Sequence, residues 1–557
     1  MLDKVRIISL GGNDERGKTL IVVEINKDIF VVDCGVRFPD KTMHGIDYVI
    51  ARFDYLIENK DRVKAYFISK GHDIMMGGLP YIYRRVPAPI YCTDITRVFI
   101  NSFCLHNHLK VDFDFHVVKP SDEVRVADRK IRFFQTATNI ADSFGVAIST
   151  DGGNIIISSD FVIENDAYEG YKSHTPMLAD IAKESTLVAL FDSCYAEIAG
   201  YANPKFKIVP MIEQTFKDAE GRIFISFENY DMYNIEQVIQ LAIKYKRQII
   251  GYDEQTKEVF WNSANARGLT IKKEIISPLD DVARIRPQNV LVFVTGFGTR
   301  LFHKIQLIAS GKGDKRVRLN STDTFIIGVP NTTTLETVFT DTVDELYHTD
   351  CHIKYFKKWE FLKMHPCQED IKTFLATFRP KYYIPINGTY KELLANAKTS
   401  LETHVGLNHT NIFVIDNGMV VEINDNGAHI SQEKVTTGDI LVDGNDIGNQ
   451  DAKIVQERTL LSDEGVVILG AVISKKTRKI VAGPDVQTRG LVYVKESESL
   501  IKEITRQFVS VIETEIAKDE YSLKDIESQL KDTLFRTIRR ITMKSPMIIP
   551  IIEEIEE

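Results

Sequence analysis

The sequence has little of what marks an exported, membrane-spanning or disulfide-built protein. Its six cysteines form no Cys-x-x-Cys pair, which argues against a disulfide framework and against a cysteine-rich zinc site. No apolar run approaches the roughly 20 residues that cross a bilayer, so no membrane partner is expected. The start, MLDKVRIISLGG, lacks the apolar core and the cleavage site of a signal peptide, and a cytoplasmic location is expected.

The sequence also lacks an excess of positive charge, with 69 Lys and Arg against 78 Asp and Glu. The net charge is -9, whereas a protein that coats nucleic acid by bulk charge is usually basic. Any RNA or DNA site is therefore expected to be a local groove. The glycine-rich GGNDERG lacks the Gly-Lys-Ser/Thr ending of a phosphate loop and is typical of a turn after a strand. The sequence contains no internal repeat and no low-complexity segment.

The 557 residues suffice for about three to four domains. Short β-branched and aromatic runs dominate the first 200 or so residues and favour a mixed α/β sandwich. Strand, helix and strand patterns then alternate, as in a parallel sheet. The chain ends with a hairpin, two amphipathic helices and a strand. The predicted boundaries are 1–204 and 363–423 for the sandwich, 205–362 for the second α/β domain, 424–451 for a polar linker and 452–557 for a small C-terminal domain.

A series of short segments is informative through its order and spacing. The segments are GGNDERGKT at 11–19, VVDCGVRFPD at 31–40, GIDYVI at 45–50, QTATNIADSFGVAI at 135–148, SSDF at 158–161, DSCYAEIAGY at 192–201, HPCQED at 365–370, RPKYYIPINGTY at 379–390 and AGPDVQTRGLVYV at 482–494. Together they resemble the ribonuclease J family over nearly the whole chain, although no single segment would be specific.

The resemblance implies both a fold and a process. The implied fold class is α/β, a metallo-β-lactamase αββα sandwich with an inserted β-CASP α/β domain and a small α+β C-terminal domain. Family members are cytoplasmic bacterial nucleases of RNA processing and decay, which degrade RNA from its 5′ end and are also associated with internal cleavage. They hold two zinc-like ions and commonly form dimers or tetramers of paralogues. RNA and either a paralogous subunit or a second copy are therefore the expected partners.

Residues 67–78, FISKGHDIMMGG, are typical of a strand that feeds a loop at the edge of a buried sheet. In the family this loop reads His-x-His-x-Asp-His, and it holds the metal ions. The resemblance assigns seven ligand positions to this chain, which are Lys70, His72, Ile74, Met75, Thr138, Asp160 and Asn387. Only His72 and Asp160 keep the family's residue type, and they are the predicted catalytic and metal-binding remnants.

The replacements are poor metal ligands. A protonated Lys has no lone pair, Ile74 has no donor atom, and the thioether of Met75 is soft where zinc hydrolases use imidazole and carboxylate. Zinc is therefore expected to bind weakly or not at all. Weak oxygen ligands from Asp73, Asp142, Thr138 and Asn387 are the open alternative.

Lys70 suggests a further hypothesis. Its ammonium could take the place of one ion and pair with Asp160, because an unpaired buried carboxylate is costly. The alternative is an exposed lysine at the end of a strand. A structure that points Lys70 away from Asp160 into solvent would contradict the pairing.

The resemblance also assigns an RNA-binding segment. The family's Ser-x-His-Gly-Gly stretch, which holds the 5′ phosphate, aligns with Lys363, Met364 and His365, where the paired glycines are absent. The predicted β-CASP loop TGFGTRL at 295–301 offers backbone amides at Gly296 and Gly298. Phe297 is predicted either to stack on RNA or to pack within the loop. His365 could equally be a structural histidine.

Three functions remain open at this point. The first is a partner subunit of an active ribonuclease J paralogue, with weak or no activity of its own. The second is a metal-dependent nuclease with residual 5′ exonuclease or endonuclease activity. The third is an RNA-binding module that needs no sister subunit. They differ in whether the chain needs a paralogue, whether Asp160 is required for activity, and whether the isolated protein binds RNA tightly.

Overall fold

The computed structural model describes residues 2–40, 43–202, 208–254, 256–257, 275–331, 335–356, 365–444, 446–447, 452–491, 497–518 and 520–556. The chain divides into two units, Met1–Arg37 with Val49–Ile440 and Phe38–Tyr48 with Leu441–Glu557. Each unit has a hydrophobic core of its own.

Strands and helices alternate along much of the chain. The strands are β1 Val5–Gly11, β2 Leu20–Ile25, β3 Asp28–Val32, β4 Val36–Arg37, β5 Tyr48–Ala51, β6 Val63–Phe67, β7 Ile90–Cys92, β8 Phe115–Val117, β9 Glu123–Val126, β10 Arg129–Gln135, β11 Phe144–Thr150, β12 Gly153–Ser158, β13 Thr186–Asp192, β14 Ile223–Glu228, β15 Gln248–Gly251, β16 Val290–Gly296, β17 Thr324–Ile327, β18 His352–Tyr355, β19 Tyr382–Ile386, β20 Met419–Asn424, β21 Gly427–Lys434, β22 Asp439–Asp443, β23 Asp446–Ile447, β24 Val466–Ser474, β25 Lys479–Arg489 and β26 Met547–Ile555. The helices are α1 Asp54–Glu58, α2 Asp73–Met76, α3 Leu79–Tyr83, α4 Asp94–His106, α5 Thr175–Ile181, α6 Ile208–Asp218, α7 Met232–Lys244, α8 Gly298–Ala309, α9 Glu336–Tyr347, α10 Gln368–Phe378, α11 Tyr390–Leu401, α12 Ala452–Asp463, α13 Ser497–Ile516 and α14 Leu523–Thr542.

Two sheets of the larger unit share one core, as the predicted sandwich requires. The first has the order β21-β20-β1-β2-β3-β6-β7-β8, and the second has the order β19-β13-β12-β11-β10-β9. Val23 of the first sheet and Phe133 of the second lie in the same hydrophobic cluster. Every residue of β2 is buried, so the first sheet is covered on both faces. Phe374 of α10 packs on Phe191 of the second sheet's outer face. The αββα prediction is confirmed.

A separate parallel sheet confirms the second predicted α/β domain. Its order is β15-β16-β14-β17-β18, and each neighbouring pair is parallel. Ile223 and Ile225 point to a core shared with α6 and α7, whereas Phe224 points to a core shared with α8 and α9. Helices on both faces explain why the central strands β14, β16 and β17 are buried along almost their whole length rather than on alternate residues.

The smaller unit contains a three-stranded sheet of order β25-β24-β26. The apolar stripes of α13 and α14 pack on it, with Ile504 and Phe508 from one helix and Leu530 and Leu534 from the other fully buried. This is the small α+β domain that the helical spacing predicted. No helix among the described residues is both long and apolar enough to span a membrane.

Part of the stretch predicted as a linker, 424–451, is sheet instead. Strand β21 pairs with β20 across a turn in which Gly427 has a φ of 113°. Its side chains are mostly exposed and polar, and an edge strand of this kind resembles a loop in sequence. Within the same stretch the apolar run DILVD, whose composition predicts a short strand, forms β22. The predicted domain boundaries stay predictions.

Candidate functional site

The loop after β6 is shaped by hydrogen bonds within the fold. The Ser69 N–H donates to Asp33 Oδ1 at 2.8 Å. His72 then caps α2, because its Nδ1 accepts from the Ile74 N–H at 3.2 Å. The Ile74 carbonyl lies so close to Gly35 that a Cβ there would sit 1.7 Å from the carbonyl oxygen. These contacts fix the predicted strand and loop together with the short helix α2 that follows them.

Lys70 and Asp160 form a buried ion pair at the base of this loop. Lys70 Nζ donates to Asp160 Oδ2, and the two side chains are only 3% and 2% exposed. The predicted pairing is confirmed, and the alternative of an exposed lysine is wrong. Each charge offsets the desolvation cost of the other.

Asp33 is a third charged group at this place, and it was not identified from the sequence. It is fully buried directly after β3. Burial raises the pKa of Asp33 to about 6, although hydrogen bonds and the charge of Lys70 oppose the increase. The signal in the sequence was an acidic residue at the end of a strand that is otherwise apolar.

Ile74 and Met75 contribute no nitrogen or oxygen from their side chains. Met75 is buried, and its carbonyl accepts from the Cys34 N–H at 2.7 Å. Both residues therefore hold the loop against the sheet through packing and backbone contacts.

Thr138 and Asn387 use their polar atoms in structural hydrogen bonds. Thr138 Oγ1 lies 2.8 Å from Ser143 Oγ. Asn387 Oδ1 accepts from Thr19 Oγ1 at 3.0 Å, and its Nδ2 donates to the Ser159 carbonyl at 3.2 Å. Asn387 thus lies beside the segment that carries Asp160 and joins it to the first sheet.

His72 is packed between aromatic side chains of the inserted domain. Its ring centroid lies 4.5 Å from that of Tyr230 and 6.4 Å from that of Phe297. Burial, followed by the charges of Lys70 and His365, lowers the pKa of His72 well below its usual value. Since Nδ1 accepts the capping hydrogen bond, the neutral ring carries its proton on Nε2. His72 therefore presents a donor. Phe297 contacts the ring of His72 edge-on, and its stacking on RNA stays a prediction.

His365 lies among acidic groups rather than on an open surface. Its Nδ1 is 2.6 Å from Asp192 Oδ2 and 3.4 Å from Asp160 Oδ1. Its ring meets that of Tyr195 edge-on at 5.1 Å. Burial alone would lower the pKa of His365, but the neighbouring Cys194, Asp160 and Asp192 raise it well above its usual value. His365 is therefore an imidazolium that balances buried carboxylates.

Asp192 and Cys194 complete this group, and neither was singled out from the sequence. Asp192 ends β13, is fully buried and accepts from the Cys194 N–H through Oδ1 at 3.2 Å. One ligand atom from each of Asp192, Cys194 and His365 lies within 4.8 Å of the others, the one such group of His, Cys, Asp or Glu within the described ranges. The signal was the polar triplet DSC after the buried run TLVALF.

The structure describes only some of the predicted RNA-binding residues. Lys363 and Met364 lie outside the described residues. Gly296 ends β16, where its carbonyl accepts from the Asn229 N–H at 3.0 Å, and Gly298 begins α8 with a φ of 51°. A Cβ on Gly298 would have no atom within 4 Å, so the start of α8 is open. A role of these residues in RNA binding stays a prediction.

Comparisons with known proteins cover almost the entire chain. Residues 220–346 match the "Ribonuclease J, beta-CASP domain", and residues 453–555 match the "Ribonuclease J C-terminal domain". The chain is 30% identical to Ribonuclease J 2 of Staphylococcus aureus strain NCTC 8325 over 552 residues, which are 99% of this chain and 98% of that protein. It is 29% identical to Ribonuclease J 2 of Staphylococcus epidermidis over the same shares.

A solved structure gives a likeness in fold alone. It is a protein of unknown function from Enterococcus faecalis V583, with a TM-score of 0.52 and 12% sequence identity. The match covers 75% of this chain and 100% of that one.

Proposed function

This chain belongs to the ribonuclease J family, and we propose that it serves bacterial RNA processing and decay as the partner subunit of an active paralogue, with little or no hydrolytic activity of its own. The observation that carries the proposal is the buried pair of Lys70 and Asp160. By resemblance to the family, that place would otherwise hold metal ions and the hydroxide that they generate.

The residues present do not fit a dinuclear centre. A cation would have to displace the Lys70 ammonium from Asp160, and the two have the same sign of charge. His72 Nδ1 already accepts the hydrogen bond that caps α2. The side-chain oxygens of Asn387 and Thr138 are likewise engaged in hydrogen bonds with Thr19 and Ser143. Only His72 and Asp160 keep the family's ligand types, and two residues are too few to coordinate two divalent ions. Lys70 supplies the positive charge that the carboxylate needs.

An intact scaffold beside an altered metal loop supports a role in assembly and RNA handling. The sandwich, the inserted domain and the C-terminal unit all keep well-packed cores. The proposed partners are RNA and a second ribonuclease J subunit in the cytoplasm, with a homodimer as the simpler assembly. His365, Gly296, Gly298 and the segment with Lys363 and Met364 are the proposed RNA contacts. A stand-alone RNA-binding module would use the same residues without a sister subunit.

One observation favours residual nuclease activity as the second candidate. Asp160, Asp192 and His365 still bring two carboxylates and an imidazolium together, and such groups can transfer protons in phosphodiester hydrolysis. This candidate requires that Asp160 exchange its partner Lys70 for a metal ion.

We expect the purified chain to leave a 5′-monophosphorylated RNA intact in manganese or zinc, within the background of a His72→Ala, Asp160→Asn double variant. Asn in place of Asp160 retains an oxygen that can accept from Lys70 but leaves the buried ammonium without a charged partner, so circular dichroism must first show that the control is folded. The measurement is a time course of RNA length on denaturing gels. Digestion by the parent that disappears in the double variant would overturn the proposal in favour of residual activity.

The partner role has its own test. A tagged copy expressed in the organism of origin is expected to retain a second ribonuclease J subunit in comparable amount after treatment with a nuclease that removes bridging RNA. Recovery of the tagged chain alone, together with tight binding of RNA by that chain, would support the stand-alone module instead.

A further inference from the structure

We propose that Asp192, Cys194 and His365 form a binding site for a single zinc-class ion, displaced from the place where the family holds its metals. The three side chains come from the end of β13, the turn after it and the residue three positions before α10. Their ligand atoms lie within 4.8 Å of one another. None of the three is among the seven family ligand positions.

The donor set matches the chemistry of zinc. Thiolate, imidazole and carboxylate are the ligands that Zn²⁺ takes in proteins, whereas Mg²⁺ and Ca²⁺ avoid sulfur. His365 Nδ1 and Asp192 Oδ2 are now 2.6 Å apart. Two ligands at about 2.0–2.1 Å from a tetrahedral ion lie about 3.3 Å apart. An ion between them would therefore require these two atoms to move apart by about 0.7 Å.

Asp160 gives a second, independent indication of a ligand. Its Oδ1 is buried and accepts no hydrogen bond from the described residues, although Oδ2 is held by Lys70. Oδ1 points toward His365, with 3.4 Å to Nδ1. At 3.4 Å this contact is too long for a good hydrogen bond, so the buried oxygen is poorly satisfied. A cation bound by the three neighbouring ligands would attract it while Lys70 stays on Oδ2.

Charge permits an ion in this group. Without the ion, Lys70 pairs with Asp160, and His365 lies against Asp192. An ion held by Asp192, His365 and the Cys194 thiolate would release the thiol proton to solvent. The ion and Lys70 would then offset the two carboxylates and the thiolate. Lys70 is thus compatible with this site, although it excludes metal from the family's position beside it.

The test is metal content of the full chain after incubation with Zn²⁺ and gel filtration, measured by mass spectrometry. We expect about one zinc per chain in the parent and loss of zinc affinity by at least about tenfold in Cys194→Ser. Cys104→Ser is the matched control, since Cys104 is also buried but lies in α4, outside the group. His72→Ala is expected to retain the ion, because His72 belongs to the family's position.

Cobalt provides a second measurement that does not depend on a variant. Co²⁺ bound to the parent is expected to show a thiolate-to-cobalt charge-transfer band, which Cys104→Ser keeps and Cys194→Ser loses. Absence of both zinc and this band in the parent would overturn the proposal. Zinc that survives Cys194→Ser, or is lost in His72→Ala, would also overturn it. Neither measurement involves RNA, so its outcome is separate from that of the proposed partner role.

Discussion

Replacing Lys70 by Met is expected to lower the free energy of unfolding by about 3–5 kcal/mol, because the buried Asp160 carboxylate loses its charged partner. Met keeps the unbranched stem of Lys and fits irregular apolar space, so little packing is lost. The pair joins the loop after β6 to the second residue after β12, and its loss therefore affects both sheets of the sandwich. The measurement is the midpoint of urea unfolding followed by circular dichroism.

Two further variants test whether the loss of stability is specific to the buried ion pair of Lys70 and Asp160. The double variant Lys70→Met, Asp160→Asn removes both charges, and it is expected to recover most of the loss. Lys183→Met breaks the surface pair with Asp180, whose side chains are 77% and 62% exposed, and is expected to leave the midpoint unchanged. A Lys70→Met protein as stable as the parent would contradict the role assigned to the pair.

The fold was largely predictable because its signals are local. Apolar runs such as TLVALFD and RIFISF are strands in any context that buries both faces, and the intervening amphipathic stretches are helices. The edge strand β21 was missed for the converse reason. Its side chains mostly face solvent, so its sequence carries the polar composition of a linker.

The part of the site that could be predicted from the sequence is the ion pair, because a buried charge requires a partner of opposite sign. Lys70 in a metal loop implied a carboxylate partner, and Asp160 is that partner. Asp33, Asp192 and Cys194 were missed because their proximity depends on how the ends of β3, β12 and β13 meet in the fold. The sequence also could not predict that His72 caps α2. A histidine Nδ1 can bind a metal or accept a hydrogen bond, and only the structure shows that the Ile74 N–H donates to it.

Restoring the lost ligands is expected to produce a metal-dependent nuclease. The variant carries five substitutions, Lys70→His, Ile74→Asp, Met75→His, Thr138→His and Asn387→His, which return the residue types that the family has at these positions. Metal binding lowers the pKa of water from 15.7 to about 7 and so supplies hydroxide at neutral pH. We expect about two ions per chain more than in the parent, and digestion of 5′-monophosphorylated RNA at least about a hundredfold faster than by the parent.

Lys70→His is the substitution on which this result depends, because it removes the ammonium that already neutralises Asp160. The matched control carries the other four substitutions and keeps Lys70. We expect it to hold fewer ions than the five-substitution variant and to remain inactive, since a cation beside Asp160 would face the Lys70 charge. Equal activity of the two variants would show that Lys70 does not exclude the metals. A five-substitution variant that holds its ions but leaves RNA intact would place the block at the RNA-binding segment instead, where the family's paired glycines are replaced by Pro366 and Cys367.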